Sequence, residues 1–221
     1  MTIDSNARPD AGDRPRASWV FAFDLDGTVT REELLPRLAA LVGKEKEMEE
    51  LTRRTLAGEL PFEASFRLRF GMLASIPLSA VRACVQAVPL DPSIEAFILA
   101  RKNRCALVTG NLDAWIGPLA GRLGCRVFCS ESRVSPSGQR TIGAILRKDA
   151  AVRLLKQEGC RVAAIGDAAN DEPMFREADR SFAFGGVHDP APALLPLADG
   201  GVFRDGASLC RALELLESTT A

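Results

Sequence analysis

Two aspartates directly follow a short apolar run near the start of the chain, in the stretch Trp19-Val20-Phe21-Ala22-Phe23-Asp24-Leu25-Asp26-Gly27-Thr28. The apolar run has no polar face, which predicts a strand that is buried on both sides. In open parallel α/β sheets, ligands bind at the carboxyl ends of the strands, where this pattern places both acids. Asp24 and Asp26 are two residues apart, so their side chains point the same way on an extended chain. Because crowded carboxylates repel each other unless a cation or proton lies between them, the pair indicates a chemical site.

A surface turn is the alternative interpretation of this stretch, because Asp-Gly is a common turn dipeptide. Three later segments favour a site: Val108-Thr109-Gly110-Asn111, then Lys148, then Ile165-Gly166-Asp167-Ala168-Ala169-Asn170-Asp171. The order and spacing of the four motifs resemble those of the haloacid dehalogenase-type phosphohydrolase superfamily. That superfamily has Asp-x-Asp-Gly-Thr, a Ser or Thr that ends a second strand, a Lys, and Gly-Asp-x-x-Asn-Asp, and this chain has all four in the same order.

Acids at the ends of several strands could converge on one hard cation. Mg2+ suits such a site, because it is bound by few carboxylates and keeps several waters. The resemblance implies that Asp24 and Asp167 bind Mg2+ through their side chains and that Asp26 binds it through its main-chain carbonyl. It also implies that Asp171 orients the site from nearby.

The two acids of the first motif suit a two-step displacement at phosphorus. Asp24 is the candidate nucleophile, because a carboxylate can attack phosphorus and form an aspartyl-phosphate. Asp26 is the candidate general acid and base, which would protonate the leaving alcohol and then deprotonate the attacking water. A metal ion would screen the repulsion between the anionic nucleophile and the phosphate.

The other phosphate oxygens need hydrogen-bond donors. The hydroxyl of Thr109 and the amides of Gly110 and Asn111 are candidates for an anion cradle at the start of the next helix. Asn170 is a candidate donor to the phosphate or to the rest of the substrate. These residues predict a phosphate site at the end of the second strand.

A lysine is the candidate positive charge of the site. Lys148 could neutralise both Asp24 and the phosphate. A solvated lysine at the start of a helix is the alternative, and the adjacent Arg147 is a rival for the same role. The order of the motifs favours Lys148.

The segment from Leu56 to Arg69, together with Glu33, resembles the phosphoserine phosphatase-like subgroup of the superfamily. In that subgroup the matching Glu and Arg hold the amino-acid part of the substrate. Glu33 would therefore meet the ammonium, and Arg69 would bind the carboxylate with its bidentate fork. The alternative is that both are exposed side chains on amphipathic helices. The chain departs from the subgroup at Thr109-Gly110-Asn111, where Ser-Gly-Gly is usual, and in the segment between Cys129 and Lys148.

The rest of the chain predicts the elements that position these residues. Residues 31–88 carry apolar residues at helical spacing and no strand signal, which predicts an all-helical cap. From residue 89 to 221, strands and helices alternate, and with residues 18–30 they predict an α/β core with a doubly wound, Rossmann-like parallel sheet. Residues 1–17 are polar, lack the apolar segment of a signal peptide, and predict a disordered tail.

Composition restricts the possible partners. A net charge of −1 gives no electrostatic argument for binding nucleic acid or an anionic membrane surface. No apolar run approaches the roughly 20 residues that span a bilayer. The six cysteines include no Cys-x-x-Cys pair, and they predict reduced, buried thiols in a cytoplasmic protein.

Several functional hypotheses remain open on the sequence alone. The first is a Mg2+-dependent phosphomonoesterase, a monomer or homodimer, that acts on a small phosphorylated metabolite, with phosphoserine first. Its close variants act on a sugar-derived phosphate ester or transfer the phosphoryl group to an alcohol. A signalling receiver domain also has an acidic cluster, an Asp acceptor and a Lys, but it is smaller and lacks a helical insert. An inactive binding module is disfavoured, since no catalytic position is substituted.

Overall fold

The computed structural model describes residues 18–136 and 140–218, and the predicted disordered tail at 1–17 lies outside them. The chain begins with strand β1 and a run of four helices, and it then alternates between strands and helices. The elements are β1 (Trp19–Phe23), α1 (Leu34–Ala40), α2 (Glu45–Leu56), α3 (Phe62–Leu73), α4 (Leu78–Gln86), α5 (Pro92–Ala100), β2 (Cys105–Leu112), α6 (Asp113–Leu123), β3 (Arg126–Ser130), β4 (Ser132–Val134), β5 (Arg140–Ile142), α7 (Lys148–Gln157), β6 (Arg161–Gly166), α8 (Glu172–Glu177), β7 (Arg180–Phe184), β8 (Val202–Phe203) and α9 (Gly206–Ser218).

A six-stranded sheet forms the centre of the core, in the order β3-β2-β1-β6-β7-β8, and all neighbouring strands are parallel. From β1 the chain fills one side of the sheet with β2 and β3, and it then returns to fill the other side with β6, β7 and β8. Such a reversal beside a central strand is where open α/β sheets bind ligands. The strands that carry the first, second and fourth motifs are therefore neighbours, and the predicted doubly wound sheet is confirmed.

Helices cover both faces of this sheet. Successive residues of a strand point to opposite faces. Phe21 packs in a cluster with α5, α6 and α9, whereas its neighbour Ala22 packs with α7 and α8. Since both faces of β1 are buried, every residue of this strand is apolar, which explains the run seen in the sequence.

Helices α1 to α4 form the predicted helical cap, which leaves and re-enters the core at one stem. Thr30 and Leu90 form an antiparallel bridge there, and the N–H of Arg31 donates to the carbonyl of Pro89 at 2.9 Å. No strand occurs among the described residues between the two sides of the stem. The pairing at the stem supports the predicted division of the chain at residues 30 and 89.

No single helix in the described ranges has the length and apolarity to cross a membrane. Helices α3 and α4 pass that test only as a pair, on length and composition, and the pair is bent by 112°.

Strand β2 is longer than the sequence predicts. The apolar run ends at Val108, and a helix is expected from Leu112, but the strand continues to Leu112 through an irregularity in its pairing with β3. Leu112 pairs again with Ser130, whose hydroxyl donates to the carbonyl of Gly110 at 2.7 Å. The polar segment Thr109–Asn111 is therefore held as extended backbone. The segment from Glu131 to Ile142, with Ser-Pro-Ser-Gly at its middle, predicts a hairpin. The structure confirms it as β4 and β5, with residues 137–139 of its turn outside the described ranges.

The six cysteines are all free thiols, as predicted. The predicted burial is complete at Cys105, Cys160 and Cys210, and it is only partial at Cys84, Cys125 and Cys129. Cys129 lies on β3, the edge strand of the sheet, so one side of it has no neighbouring strand.

Candidate active site

Three buried carboxylates meet at the carboxyl ends of β1 and β6. Asp24 follows β1, Asp167 follows β6, and Asp171 ends the 3-10 turn behind Asp167. One oxygen from each residue lies within 4.8 Å of the corresponding oxygens of the other two. The side chain of Asp26 lies outside this group and lines the adjacent pocket instead. The adjacent strands thus bring the predicted acids together.

Asp171 shapes the loop that follows β6. Its Oδ2 accepts hydrogen bonds from the N–H groups of Asp167 at 3.0 Å and Ala168 at 2.9 Å. A Cβ at Gly166 would lie 2.4 Å from the same oxygen, so the carboxylate fits only beside a glycine. These contacts support the predicted role of Asp171 in orienting Asp167.

Lys148 is buried between two of the carboxylates. Its Nζ donates hydrogen bonds to Asp24 and to Asp171. The rival Arg147 is an exposed residue whose side chain is 78% accessible, and it pairs with Asp149 at 2.9 Å. The start of α7 therefore directs the lysine, and not the arginine, toward the acids.

Burial dominates the electrostatics of the carboxylates. It raises the pKa of Asp24 to about 8, although Lys148 pulls this pKa down, and Asp171 and Asp26 push it up. Burial also raises the pKa of Asp167 well above its usual range, with a further contribution from Asp24. Burial alone would lower the pKa of Lys148, but Asp171 and Asp24 together raise it. If all three acids were ionised, one lysine could not neutralise them, so burial favours a bound proton or a second cation at this cluster.

The acids fit a divalent cation. Asp167 accepts a hydrogen bond from Thr28 through Oδ1 at 3.4 Å, but its Oδ2 is buried without a hydrogen-bond partner. An unsatisfied buried oxygen is costly. A Cβ at Gly27 would lie 2.4 Å from this oxygen, so the glycine keeps the space beside it open. An all-oxygen donor set is the set that hard cations such as Mg2+ prefer.

A pocket opens beside the carboxylates, between the sheet and the helical cap. Asp24, Asp26 and Asn170 line it from the core, together with the segment Thr109–Asn111. Glu33 and Arg69 line it from the cap side, together with Leu35, Thr52, Thr55, Phe62 and Phe66. All of the predicted catalytic and substrate-binding residues except Lys148, which contacts Asp24, therefore line one cavity.

The phosphate-side loop at the end of β2 is held by its own hydrogen bonds. The hydroxyl of Thr109 accepts from the main-chain N–H of Asn111 at 3.2 Å and from its Nδ2 at 3.3 Å. Nδ2 of Asn111 also donates to Asp26. Among the described hydrogen bonds the Thr109 hydroxyl only accepts, so its proton is available to a ligand.

Arg69 and Glu33 each have a buried polar atom that makes no hydrogen bond. Arg69 is 5% exposed, donates to the Thr52 hydroxyl only at 3.5 Å, and leaves its Nε without a partner. Oε1 of Glu33 is also buried without a hydrogen bond, and Nε2 of His188 lies 3.6 Å from it. Burial lowers the pKa of His188, which favours the neutral imidazole. The alternative that both are exposed helix residues is therefore wrong. The pair fits a ligand that carries one negative and one positive group.

Burial opposes the charged form of both side chains. It raises the pKa of Glu33 well above its usual range, and the carboxylates of Asp26 and Asp24 add to this rise. It lowers the pKa of Arg69, against the pull of Asp26 and Glu33. A zwitterionic ligand would supply the missing counter-charge to each.

Sequence reasoning missed the aromatic wall of the pocket. Phe62 and Phe66 stack with their ring centres 5.5 Å apart, and the Arg69 guanidinium lies 5.9 Å from the centre of the Phe62 ring. Phe62 is seven residues before Arg69, which puts both on one face of a helix. This spacing in the sequence could have identified Phe62 as a pocket residue beside Arg69.

A family model and several known proteins match this chain. The model for haloacid dehalogenase-like hydrolases matches residues 21–176. The phosphoserine phosphatase of Methanocaldococcus jannaschii is 29% identical over 175 residues, which cover 73% of this chain and 83% of that protein. The phosphoserine phosphatase of Mycobacterium tuberculosis is 28% identical over 200 residues, but the match spans only 48% of its length.

Solved structures give the same result. A substrate-bound phosphoserine phosphatase complex superposes with a TM-score of 0.77 at 25% identity, over 91% of this chain and 99% of that one. A phospho-aspartyl intermediate analogue of phosphoserine phosphatase superposes with a TM-score of 0.75 at 26% identity, over 90% of this chain and 99% of that one.

Proposed function

The chain belongs to the haloacid dehalogenase-like hydrolase family, and from this premise we propose that it hydrolyses phosphoserine through an aspartyl-phosphate on Asp24. One observation carries the substrate assignment. The pocket that contains Asp24 is lined on its cap side by Arg69 and Glu33, and each has a buried polar atom without a partner. Phosphoserine carries a carboxylate for Arg69 and an ammonium for Glu33. The relatives named above support the same substrate.

Binding uses both sides of the pocket. Arg69 pairs with the carboxylate of the substrate through two parallel N–H donors, and Glu33 accepts from its ammonium. These contacts direct the phosphate toward Asp24. The Thr109 hydroxyl and the Gly110 N–H donate to the phosphate oxygens, and Asn170 is a further donor at the edge of the pocket.

Hydrolysis then proceeds in two displacements. A carboxylate oxygen of Asp24 attacks phosphorus, the bond between phosphorus and the ester oxygen breaks, and the departing oxygen takes a proton from Asp26. Asp26 next takes a proton from a water whose oxygen attacks the aspartyl-phosphate. Inorganic phosphate leaves and the carboxylate of Asp24 is restored. Lys148 holds Asp24 in place and neutralises part of the charge that collects there.

We assign the divalent cation of the site as Mg2+. Asp24 and Asp167 would hold it through their side chains and Asp26 through its main-chain carbonyl, while Asp171 orients Asp167. When bound, the cation supplies positive charge that screens the phosphate from the nucleophile. The unpaired Oδ2 of Asp167 and the crowding of three carboxyl groups around a single lysine support this assignment.

The proposal also covers the location of the enzyme, its partner and its oligomeric state. We place the enzyme in the cytoplasm, which the free thiols support. Its partner is a small phosphorylated metabolite, and we retain a monomer or homodimer as the expected state. The helical cap and the family membership argue against the receiver-domain hypothesis.

A panel of phosphate monoesters tests the proposal, with phosphate release measured with and without Mg2+. We expect a preference for phosphoserine and a requirement for Mg2+. Asp24→Asn should abolish turnover while its circular dichroism spectrum stays that of the wild type, since a neutral amide cannot attack phosphorus. A preference for a sugar phosphate would overturn the substrate and leave the mechanism intact. Wild-type-like activity in Asp24→Asn would overturn the nucleophile.

A further inference from the structure

The side chain of Asn111 already donates two hydrogen bonds within the protein. The residue is 4% exposed, and its Nδ2 donates to Oδ2 of Asp26 and to the hydroxyl of Thr109, the latter at 3.3 Å. The amide nitrogen of Asn111 faces Asp26, as suits the ionised form of Asp26, which only accepts hydrogen bonds. Both protons of that nitrogen are therefore used inside the protein, and neither is available to a phosphate.

The carboxylate of Asp26 is held from two directions. Oδ1 accepts from the main-chain N–H of Leu34, at the start of α1 in the cap, at 2.9 Å. Oδ2 accepts from Asn111, at the end of β2 in the core. Of the two donors, only the one from Asn111 comes from a side chain. Without it, the carboxylate would be free to swing about its own side-chain bonds while the Leu34 contact holds one oxygen.

Resting on the proposed function, we infer that Asn111 is a positioning residue for Asp26, the general acid and base, and does not bind the phosphate through its side chain. A proton-transfer group must lie within hydrogen-bond reach of the atom that gains or loses the proton. Asn111 fixes the orientation of the Asp26 carboxyl group, which lines the pocket. Thr109 in turn fixes the amide of Asn111, so the three side chains form one chain of hydrogen bonds.

The reaction has two steps, formation and then hydrolysis of the aspartyl-phosphate. Whether the first step needs the proton of Asp26 depends on the ester. When a serine ester bond to phosphorus breaks, the departing alkoxide must take a proton from Asp26. A nitrophenolate departs without one, because its negative charge is delocalised over the ring. In the second step, Asp26 must accept the proton of the attacking water whichever ester formed the aspartyl-phosphate. A misplaced Asp26 therefore slows both steps for phosphoserine, and only the second step for 4-nitrophenyl phosphate.

Stopped-flow kinetics of Asn111→Ala in the full chain, with Mg2+ present, test this inference. With 4-nitrophenyl phosphate we expect a burst of about one nitrophenolate per enzyme at a rate within about twofold of the wild type. Steady-state turnover should then be about 10- to 100-fold slower than in the wild type, the scale of a misplaced acid–base group. With phosphoserine, kcat should fall by a similar factor with no burst and little change in KM.

Two further variants separate positioning from a merely structural role. Asn111→Asp keeps the shape of the side chain and replaces the donor by a like charge, so it should be impaired at least as much as Asn111→Ala. Ser130→Ala is the matched control, because it removes the hydroxyl that holds the Gly110 carbonyl at 2.7 Å without contacting Asp26. It should change the first turnover and the steady state by the same factor.

Equal slowing of both phases in the Asn111 variants, or wild-type kinetics in Asn111→Asp, would overturn the inference. The wild-type protein in the same experiment separates this failure from that of the proposed function. If the wild type hydrolyses neither ester, the proposed function fails and the inference falls with it. If the wild type is active and the variants show no burst, only the role of Asn111 is wrong.

Discussion

The ring of Phe62, the first residue of α3 in the cap, lies directly against the backbone of Gly110 in the core. A Cβ built on Gly110 would fall 2.1 Å from Cζ of that ring, far inside any real contact. This is where the cap touches the phosphate-side loop, so the distance between these two residues sets how closely the cap can approach Thr109. Only a glycine at 110 leaves room for the ring at this distance.

Gly110→Ala should therefore separate the cap from the loop. The added methyl group displaces Phe62, and a shift of about 1 Å can cost about 100-fold in rate, so we expect kcat/KM to fall about 10- to 100-fold. Gly121→Ala is the matched control, because its Cβ would meet nothing within 4 Å on helix α6. Steady-state kinetics and the melting temperature of both variants provide the measurement. Equal kinetics in the two variants would show that the contact does not matter.

Lys148→Ala should remove both stability and activity. Removal of one partner from a buried ion pair costs about 3–5 kcal/mol, because it leaves the other charge uncompensated, and Lys148 contacts two acids, Asp24 and Asp171. Urea denaturation of the metal-free protein measures the loss. Arg147→Ala is the control next to it in sequence, since the Arg147 guanidinium is exposed and its partner Asp149 keeps a second ion pair, with Arg153. The loss of one such exposed partner costs at most about 1 kcal/mol. Similar losses in the two variants would contradict the assignment.

Chelation of divalent metal should stop turnover, and added Mg2+ should restore it. The melting temperature gives a second readout that does not depend on activity, because a ligand at 100 times its Kd stabilises the folded state by about 2.7 kcal/mol. Asp167→Asn should lose this Mg2+-dependent rise, while the metal-free variant should melt no lower than the metal-free wild type, since it removes a crowded buried charge.

Asp189→Asn is the control for the metal prediction. Asp189 is an exposed residue that pairs only with Arg204 among the described ion pairs, so the rise with Mg2+ should persist in this variant. Ca2+ should support little activity, because it prefers more ligands and longer bonds than Mg2+. Hydrolysis of an aryl phosphate by chelator-treated protein would refute the role of the metal.

Local patterns predicted most of the fold, because they report on local structure. The apolar run from Trp19 to Phe23 could be recognised as a buried strand, since both of its faces are covered. The end of β2 could not be predicted, because the polar segment Thr109–Asn111 has no strand pattern of its own. It is held as extended backbone by pairing with Ser130, which lies on another strand.

Contacts between distant residues limited what the sequence could predict about the site. The motif order identified Lys148, but its two buried partners depend on how α7 packs, 124 residues after Asp24. The hydrogen bond from Asn111 to Asp26 spans 85 positions and uses a side chain that could equally well have faced the phosphate. Motifs therefore identify which residues meet, whereas the direction of each side chain requires the packed structure.

The substrate assignment depends on Arg69 and Glu33, and Arg69→Ala tests it most directly. Loss of a charge-assisted pair to the substrate carboxylate costs about 1.5–3 kcal/mol. That energy predicts a fall of about 10- to 150-fold in kcat/KM for phosphoserine. An aryl phosphate has no carboxylate, so its hydrolysis by the variant should be nearly unchanged. Glu33→Gln should show the same selective loss through the ammonium.

Arg67→Ala is the matched control for Arg69→Ala, because Arg67 lies on the same helix and pairs with Glu63 on the exposed surface. It should leave both substrates at wild-type rates. The comparison is decisive because the two substrates share Asp24 and Asp26 and differ only in what they present to the cap. If Arg69→Ala reduces kcat/KM for both substrates equally, Arg69 supports the structure of the cap and the substrate is not recognised through its carboxylate.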